Sequence, residues 1–272
     1  MKKNRQLFES LDSVRDKPIL AQIDPSSVWG IKDREDAEDR LEKATRELSD
    51  LQYRLYAEAK TGLLLIFQAM DTGGKDGVIR KVLGPLNPQG VEVTSFKRPT
   101  PDELAHDYLW RIHSRVPARG KIGVFNRSHY EDVLVPRVHK LAPKEELNCR
   151  YRQINDFERH LGENGVILLK FYLHISKDEQ KRRLKERLDK PEKNWKFEPA
   201  DLAERELWDK YREAYQAIME KCSSPHAPWY VIPSNRKWFR DIAVAEIIRR
   251  ELNRINPSLP KAKEGLRDLK VK

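Results

Sequence analysis

Apolar and polar positions change their period several times along the chain. From Asp33 to Lys60, Leu41, Leu48, Leu51 and Leu55 recur at helical spacing among many charges, which predicts an amphipathic helix packed on a domain. The stripe is too short for a coiled-coil partner. Leu63 to Phe67 then form a continuous apolar run of strand length, and Val78, Ile79, Val82 and Leu83 return to helical spacing. Further along, VEVTSF (91–96), KIGVF (121–125), VILLKFYL (166–173) and PWYVIP (228–233) read as strands. Between and after them DELAHDYLWRIHSRV (102–116), EELNCRYRQINDFERHLG, DEQKRRLKERLDKPEKNWKFEPADL and WFRDIAVAEIIRREL read as helices. Strands separated by helices predict an α/β fold with a mostly parallel sheet covered on both faces. Ligands of such sheets gather beyond the carboxyl ends of the strands, so the residues after each strand are the first candidates for chemistry.

After the first strand comes AMDTGGKDG. Gly73, Gly74 and Gly77 free the backbone, the N–H groups of the following helix attract anions, and Lys75 adds a mobile cation aimed at the same place. These are the parts of a phosphate cradle, although G-x-x-x-x-G-K-[ST] is only partly met. Ala69 stands in place of the first glycine and Asp76 in place of the Ser or Thr that ordinarily touches magnesium. Asp71 is then the candidate oxygen donor for the metal. The bland alternative is a glycine-rich turn with solvated charges, which also accommodates Arg80 and Lys81.

After the third strand, NRSHYEDVLVPRVH gathers Asn126, Arg127, His129, Glu131, Asp132, Arg137 and His139. An acid here can hold magnesium, as it does after the second key strand of P-loop enzymes. Asp132 is the choice, with Glu131 beside it as the alternative. The two histidines read as structural, because phosphoryl transfer relies on positioning and charge neutralisation more than on a tuned imidazole. After the fourth strand, Ser176 and Glu179 read as a capping box opening a helix. Arg183 and Arg187 are four residues apart and so share a face, Arg182 is adjacent, and Lys193 and Lys196 flank Trp195. Alone this would be a solvated helix; opposite a phosphate loop it resembles an arginine-bearing lid. Lys97, Arg98 and Arg111 are candidates for an acceptor's phosphate, whereas Trp110 reads as packing.

Composition narrows the class. The 53 Lys and Arg outnumber the 43 Asp and Glu, and a net charge of +10 suits an anionic partner. Two cysteines, Cys149 and Cys222, with no CxxC spacing disfavour both a disulfide framework and a zinc site. The N-terminus lacks the apolar stretch of a signal peptide and no run is long enough to span a membrane, so a soluble cytoplasmic protein is expected.

AMDTGGKDG, FNRSHYEDVLVPRVH, FYLHISKDEQKRRLKERLDKPEKNWKF and APWYVIPSNRKWFRD together resemble polyphosphate kinase family 2, in order, from about residue 50 to 250. The HYEDVL form is similar to its class III, whose members phosphorylate nucleoside mono- and diphosphates. The resemblance implies a P-loop kinase-like three-layer fold with a helical lid and an N-terminal helical extension. It also implies magnesium, with manganese as an alternative, and transfer of the terminal phosphate of polyphosphate to AMP and ADP, with GMP and GDP as further acceptors. Asp71, Lys75, Arg127 and Asp132 would be catalytic, with Asp71 and Asp132 on the metal. Gly73, Gly74, Asp76, Gly77, Arg80, Lys81, Arg182, Arg183, Arg187 and Lys193 would face phosphates, and Arg111, Asn126 and Glu131 the acceptor nucleotide. The expected division is an arm and helix over 1–60, a core over 61–255 with its lid at about 177–205, and a tail over 256–272, in a homo-oligomer. An ATP-dependent nucleotide kinase shares the fold and lid. A basic nucleic-acid-binding protein is disfavoured by Asp71, Asp76, Glu131 and Asp132, which would repel a nucleic-acid backbone.

Overall fold

The computed structural model describes residues 5–13 and 18–264, so the final part of the expected tail and part of the N-terminal arm lie outside the described residues. Strands β1 (Gly62–Ala69), β2 (Val91–Ser95), β3 (Ile122–Asn126), β4 (Val166–His174) and β5 (Trp229–Pro233) form one sheet in the order β2-β3-β1-β4-β5. Every pairing is parallel. Burial on both faces explains the continuous apolar runs: along β1, Leu63, Leu65 and Phe67 enter one core while Leu64 and Ile66 enter the other.

Helices α1 (Arg5–Ser13), α2 (Arg34–Glu58) and, far along the chain, the Lys237–Ile255 helix cover the first face. The α2 leucines Leu41, Leu48, Leu51 and Leu55 are buried there, and Asp33 caps its start by accepting from the Asp36 N–H. Within the expected arm, Leu7 and Leu11, four apart, bury one side of α1. Residues 23–26 lie at the carboxyl ends of β4 and β5, where His174 meets the Ile23 carbonyl. There the Asn235 N–H donates to the Pro25 carbonyl, and Asn235 Nδ2 donates to Ser26 Oγ.

Between β1 and β2 the helical stretch is a short α3 (Lys75–Val78) continued by a π-helical turn, Ile79–Leu83. The single helix predicted over 102–116 is instead two turns, α4 (Pro101–Leu104) and α5 (Trp110–His113). Asp107 breaks it, its carboxylate accepting from the Leu109 N–H, a local bond that competes with the helix ladder. Trp110, read as packing, is exposed and stacked on His106 with ring centroids 4.1 Å apart.

The second face carries α6 (Glu131–Val138), α7 (Lys144–Glu163) and α11 (Trp208–Cys222). Between β4 and α11 lie α8 (Lys177–Asp189), α9 (Pro191–Asn194) and α10 (Ala200–Glu206), the expected lid. Pro191 cannot donate to the preceding turn, so α8 stops just before it. Ser176 caps α8 through the Glu179 N–H, but the Glu179 carboxylate binds Arg182 and Arg183, so half of the predicted capping box forms. The last helix, Lys237–Ile255, is α12.

Candidate active site

The loop after β1 sits in the middle of the sheet, with the end of β3 on one side and α8 on the other. Its glycines are steric requirements. A side chain at Gly73 would collide with Ala69, and Gly74 has φ +101 with the Arg240 guanidinium against its α-carbon. Thr72 also has a positive φ, 61°, and its Oγ1 is buried with no partner among the described residues, a polar atom left for a ligand at the loop.

The residue leaving β3 is equally unusual. Arg127 adopts φ 64° while its N–H donates to the Phe67 carbonyl, and this turn carries its guanidinium across to Asp71 at 3.3 Å. Burial works against the Arg127 charge, but Glu131 and Asp71 outweigh it and hold the group above its ordinary value. Lys75 is held below its ordinary value by burial and by Arg127, against the pull of Asp71, Glu131 and Asp76. Burial raises Glu131, only partly offset by Arg127, Lys75 and a hydrogen bond from Gln68. Asp71, Lys75, Arg127 and Glu131 thus form one electrostatic unit.

Asp132 is turned elsewhere. Its carboxylate lies 3.6 Å from Arg111, burial raises it against the opposing pull of Arg111 and Arg150, and its backbone carbonyl accepts from Arg150 at 2.6 Å. Of the two neighbouring acids, Glu131 is therefore turned toward the loop and Asp132 toward Arg111, because one step along a helix swings a side chain by roughly 100°. Arg111 is buried as well; it donates to the Lys97 carbonyl at 3.0 Å and stands over Phe96. Arg111 and Asp132 border a separate cleft of about 750 Å³ that Tyr108, Arg150 and Phe157 also line.

The main cleft, of about 1180 Å³, opens over the loop and is bordered by the lid. Gly73, Gly74, Gly77, Arg80, Lys81, Asn126, Arg187 and Lys193 all reach it. Asp76 accepts from Asn126 Nδ2 at 2.7 Å and stands 3.9 Å from Lys196, linking loop, β3 and lid. Lys193 is paired with Glu186 at 2.5 Å, and Arg187 donates to the Lys196 carbonyl and to Asp201. Arg182 points away, exposed and bound to Glu179.

Arg183 does not share the open face of Arg187. It turns inward, donating to the carbonyls of Thr72, Gly73, Ser234 and Asn235, and so clamps the phosphate loop to the end of β5. Beside it stands Arg240, buried against Gly74 and held by Asp241 at 2.6 Å. Arg240 is not among the residues expected at the site, because its signal, an Arg-Asp pair opening the last helix, lies far from the loop in sequence. His129 and His139 face the carboxylates of Glu158 and Glu204.

The sequence model of the family described as Polyphosphate kinase 2 matches residues 31–260. The chain belongs to that family. A relative from Meiothermus ruber named AMP/ADP-polyphosphate phosphotransferase is 51% identical over 230 residues, covering 84% of this chain and 86% of the relative. An ADP-polyphosphate phosphotransferase of Rhodopseudomonas palustris is 47% identical, covering 81% and 80%. The crystal structure of Polyphosphate Kinase 2 from Arthrobacter aurescens superposes with a TM-score of 0.94 at 45% identity, covering 98% of this chain and 96% of that one. Membership of the polyphosphate kinase 2 family agrees with the P-loop kinase-like fold of the parallel sheet and its covering helices. No helix among the described residues is long and apolar enough to cross a membrane.

Proposed function

We propose that this chain moves the terminal phosphoryl group of inorganic polyphosphate directly to nucleoside mono- and diphosphates, converting AMP to ADP and ADP to ATP. The observation that carries the reading is the meeting, in one cleft, of the phosphate loop, the Asp71–Arg127 pair and the lid cations. Polyphosphate is a flexible chain of negative charge, and it is gripped by cations that can exchange their carboxylate partners for phosphate oxygens.

In this reading Lys75 and the loop N–H groups stabilise charge on the group in transit, and Arg127 neutralises what develops beside it. Lys193, Arg187 and Lys196 close over the donor and exclude water. Among the described residues no group of three metal-ligating side chains gathers, but magnesium commonly takes one or two carboxylates and completes its shell with phosphates and water. Asp71 with Glu131 fits that donor set better than Asp71 with Asp132. Magnesium held there, or manganese in its place, would neutralise charge on the phosphates. Asp132 and Arg111 would act from the neighbouring cleft on the acceptor side. GMP and GDP are further acceptors in this reading, and the enzyme works in the cytoplasm as a homo-oligomer.

The test is purified protein with polyphosphate, magnesium and AMP, followed by nucleotide separation. ADP should appear first and ATP after it, with GMP and GDP assayed in parallel. Turnover with ATP but never with polyphosphate as donor would replace this reading by a conventional nucleotide kinase.

A further inference from the structure

A fully enclosed polar cluster lies beneath the turn that leaves β3. Lys170, in the middle of the apolar strand β4, donates to Glu158 Oε2 at 2.6 Å, to Tyr130 Oη at 2.9 Å and to the Cys222 carbonyl at 2.7 Å. Tyr130 Oη donates to the other oxygen of Glu158 at 2.8 Å, and His129 Nε2 stands 3.3 Å from that same oxygen. Lys170, Glu158, His129 and Tyr130 are all 0% exposed. A buried Lys–Glu pair seldom stabilises a fold more than apolar residues of the same volume would, because desolvation offsets the attraction. Stability alone therefore does not account for the cluster.

Its attachment points do. Residues 127–131 divide between two sides: His129 and Tyr130 reach down into the cluster, whereas Arg127 and Glu131 belong to the electrostatic unit at the phosphate loop. Arg127 holds a backbone conformation that L-residues avoid, and such a conformation persists only when its surroundings over-determine it. The turn itself is tied by Gln68 donating to Ser128 Oγ at 3.2 Å and by the Glu131 N–H donating to the Ser128 carbonyl at 3.0 Å. Gln68 also hydrogen-bonds to Glu131.

We infer that Lys170, Glu158 and Tyr130 are positioning residues for phosphoryl transfer: by gripping the underside of the 128–130 turn they aim Arg127 and Glu131 at the phosphate loop. The inference rests on the phosphotransfer reading above. Hydrogen bonds to charged partners fix direction as well as distance, so an apolar filling would keep the volume and lose the aim. A misplacement of about 1 Å arising away from the chemistry can cost about 10²-fold in rate.

Two variants test it. Lys170→Met, Glu158→Leu and Tyr130→Phe together replace the cluster by apolar groups of similar size; Tyr130→Phe alone removes one hydroxyl. Each is assayed for cooperative melting and for kcat and KM with polyphosphate and ADP. The triple variant should melt cooperatively and lose about tenfold or more in kcat, with both KM values within about twofold of wild type. Tyr130→Phe should show a smaller loss, also in kcat. A folded triple variant with wild-type kcat overturns the inference, as does a loss confined to KM. If the triple variant fails to fold, Tyr130→Phe decides: lowered melting temperature with unchanged kcat makes the cluster purely structural and overturns the inference. A wild-type protein without turnover would sink the phosphotransfer reading and this inference with it, whereas an active wild type with unaffected variants sinks the inference alone.

Discussion

Two sets of cations border the same cleft, and they are held in opposite ways. Beneath the loop, Arg183 and Arg240 are buried, and their partners come from the fold itself: four backbone carbonyls and Glu179 for Arg183, and the adjacent Asp241 for Arg240. On the lid, Lys193, Arg187 and Lys196 are partly exposed and face the carboxylates Glu186, Asp201 and Asp76. A carbonyl of the main chain cannot leave, so Arg183 shapes the loop, and Arg240, buried against Gly74 beside its own neighbour Asp241, stays with it. A carboxylate on a side chain can be replaced by a phosphate oxygen of like charge, so the second set can be handed to a substrate. Lys75, on the loop between them, is the group to which the proposed transfer gives the charge on the moving phosphoryl.

Removing Lys75 breaks the contrast most severely. Lys75→Ala should lower kcat by about 10²–10³, as loss of one preorganised electrostatic stabiliser does, while the melt remains cooperative. Normal turnover in the folded variant would move the reacting phosphoryl group elsewhere.

Next comes the clamp beneath the loop. Arg183→Ala should cost about 3 kcal/mol in urea unfolding, because Glu179 and several buried carbonyls lose a charged donor. Arg187→Ala, from the lid set, should cost only about 0–1 kcal/mol and act on polyphosphate KM instead. Equal stability losses would erase the distinction between the two sets.

The neighbouring acids sharpen it further. Glu131→Gln should reduce kcat by about 10²-fold and Asp132→Asn by less, since Glu131 faces Lys75 and Arg127 while Asp132 faces Arg111. The reverse order in a steady-state assay would restore Asp132 as the principal acid.

The smallest effect concerns pH. Lys193, then Lys190, hold the Glu186 carboxyl down at about 2, against an ordinary value near 4.3 for an unfolded chain. A depressed acid contributes stability above its unfolded pKa, and the contribution is lost as pH falls from about 4.3 through 2. Glu186→Gln should therefore flatten the melting temperature against pH in that window, modestly because the group lies near the surface. An unchanged slope would show that the lid lysines are not tethered in solution.

How far the residues alone reached depended on how local each signal was. The five strands were legible because burial on both faces leaves unbroken apolar runs such as Leu63 to Phe67. The phosphate loop was legible because Gly73, Gly74 and Lys75 are adjacent. The break at Asp107 was missed because one side-chain bond outweighed a plausible period over 102–116. Helix α1 was missed although Leu7 and Leu11 carried its spacing. Lys170 carries a signal of its own, since a charge inside the buried strand VILLKFYL requires a partner, but its spacing does not say which one.

The sequence by itself determined the fold class and the family, because both are written in neighbouring residues whose spacing carries physical meaning. Only the tertiary structure decided which of Glu131 and Asp132 faces the loop, that Arg183 turns inward while Arg187 stays on the lid, and that Lys170 and Glu158 meet beneath Arg127. Helical spacing states which residues share a face but not what that face meets. The partners Ser234, Asn235 and Cys222 come from distant parts of the chain, brought within hydrogen-bond reach only when the sheet and its covering helices pack.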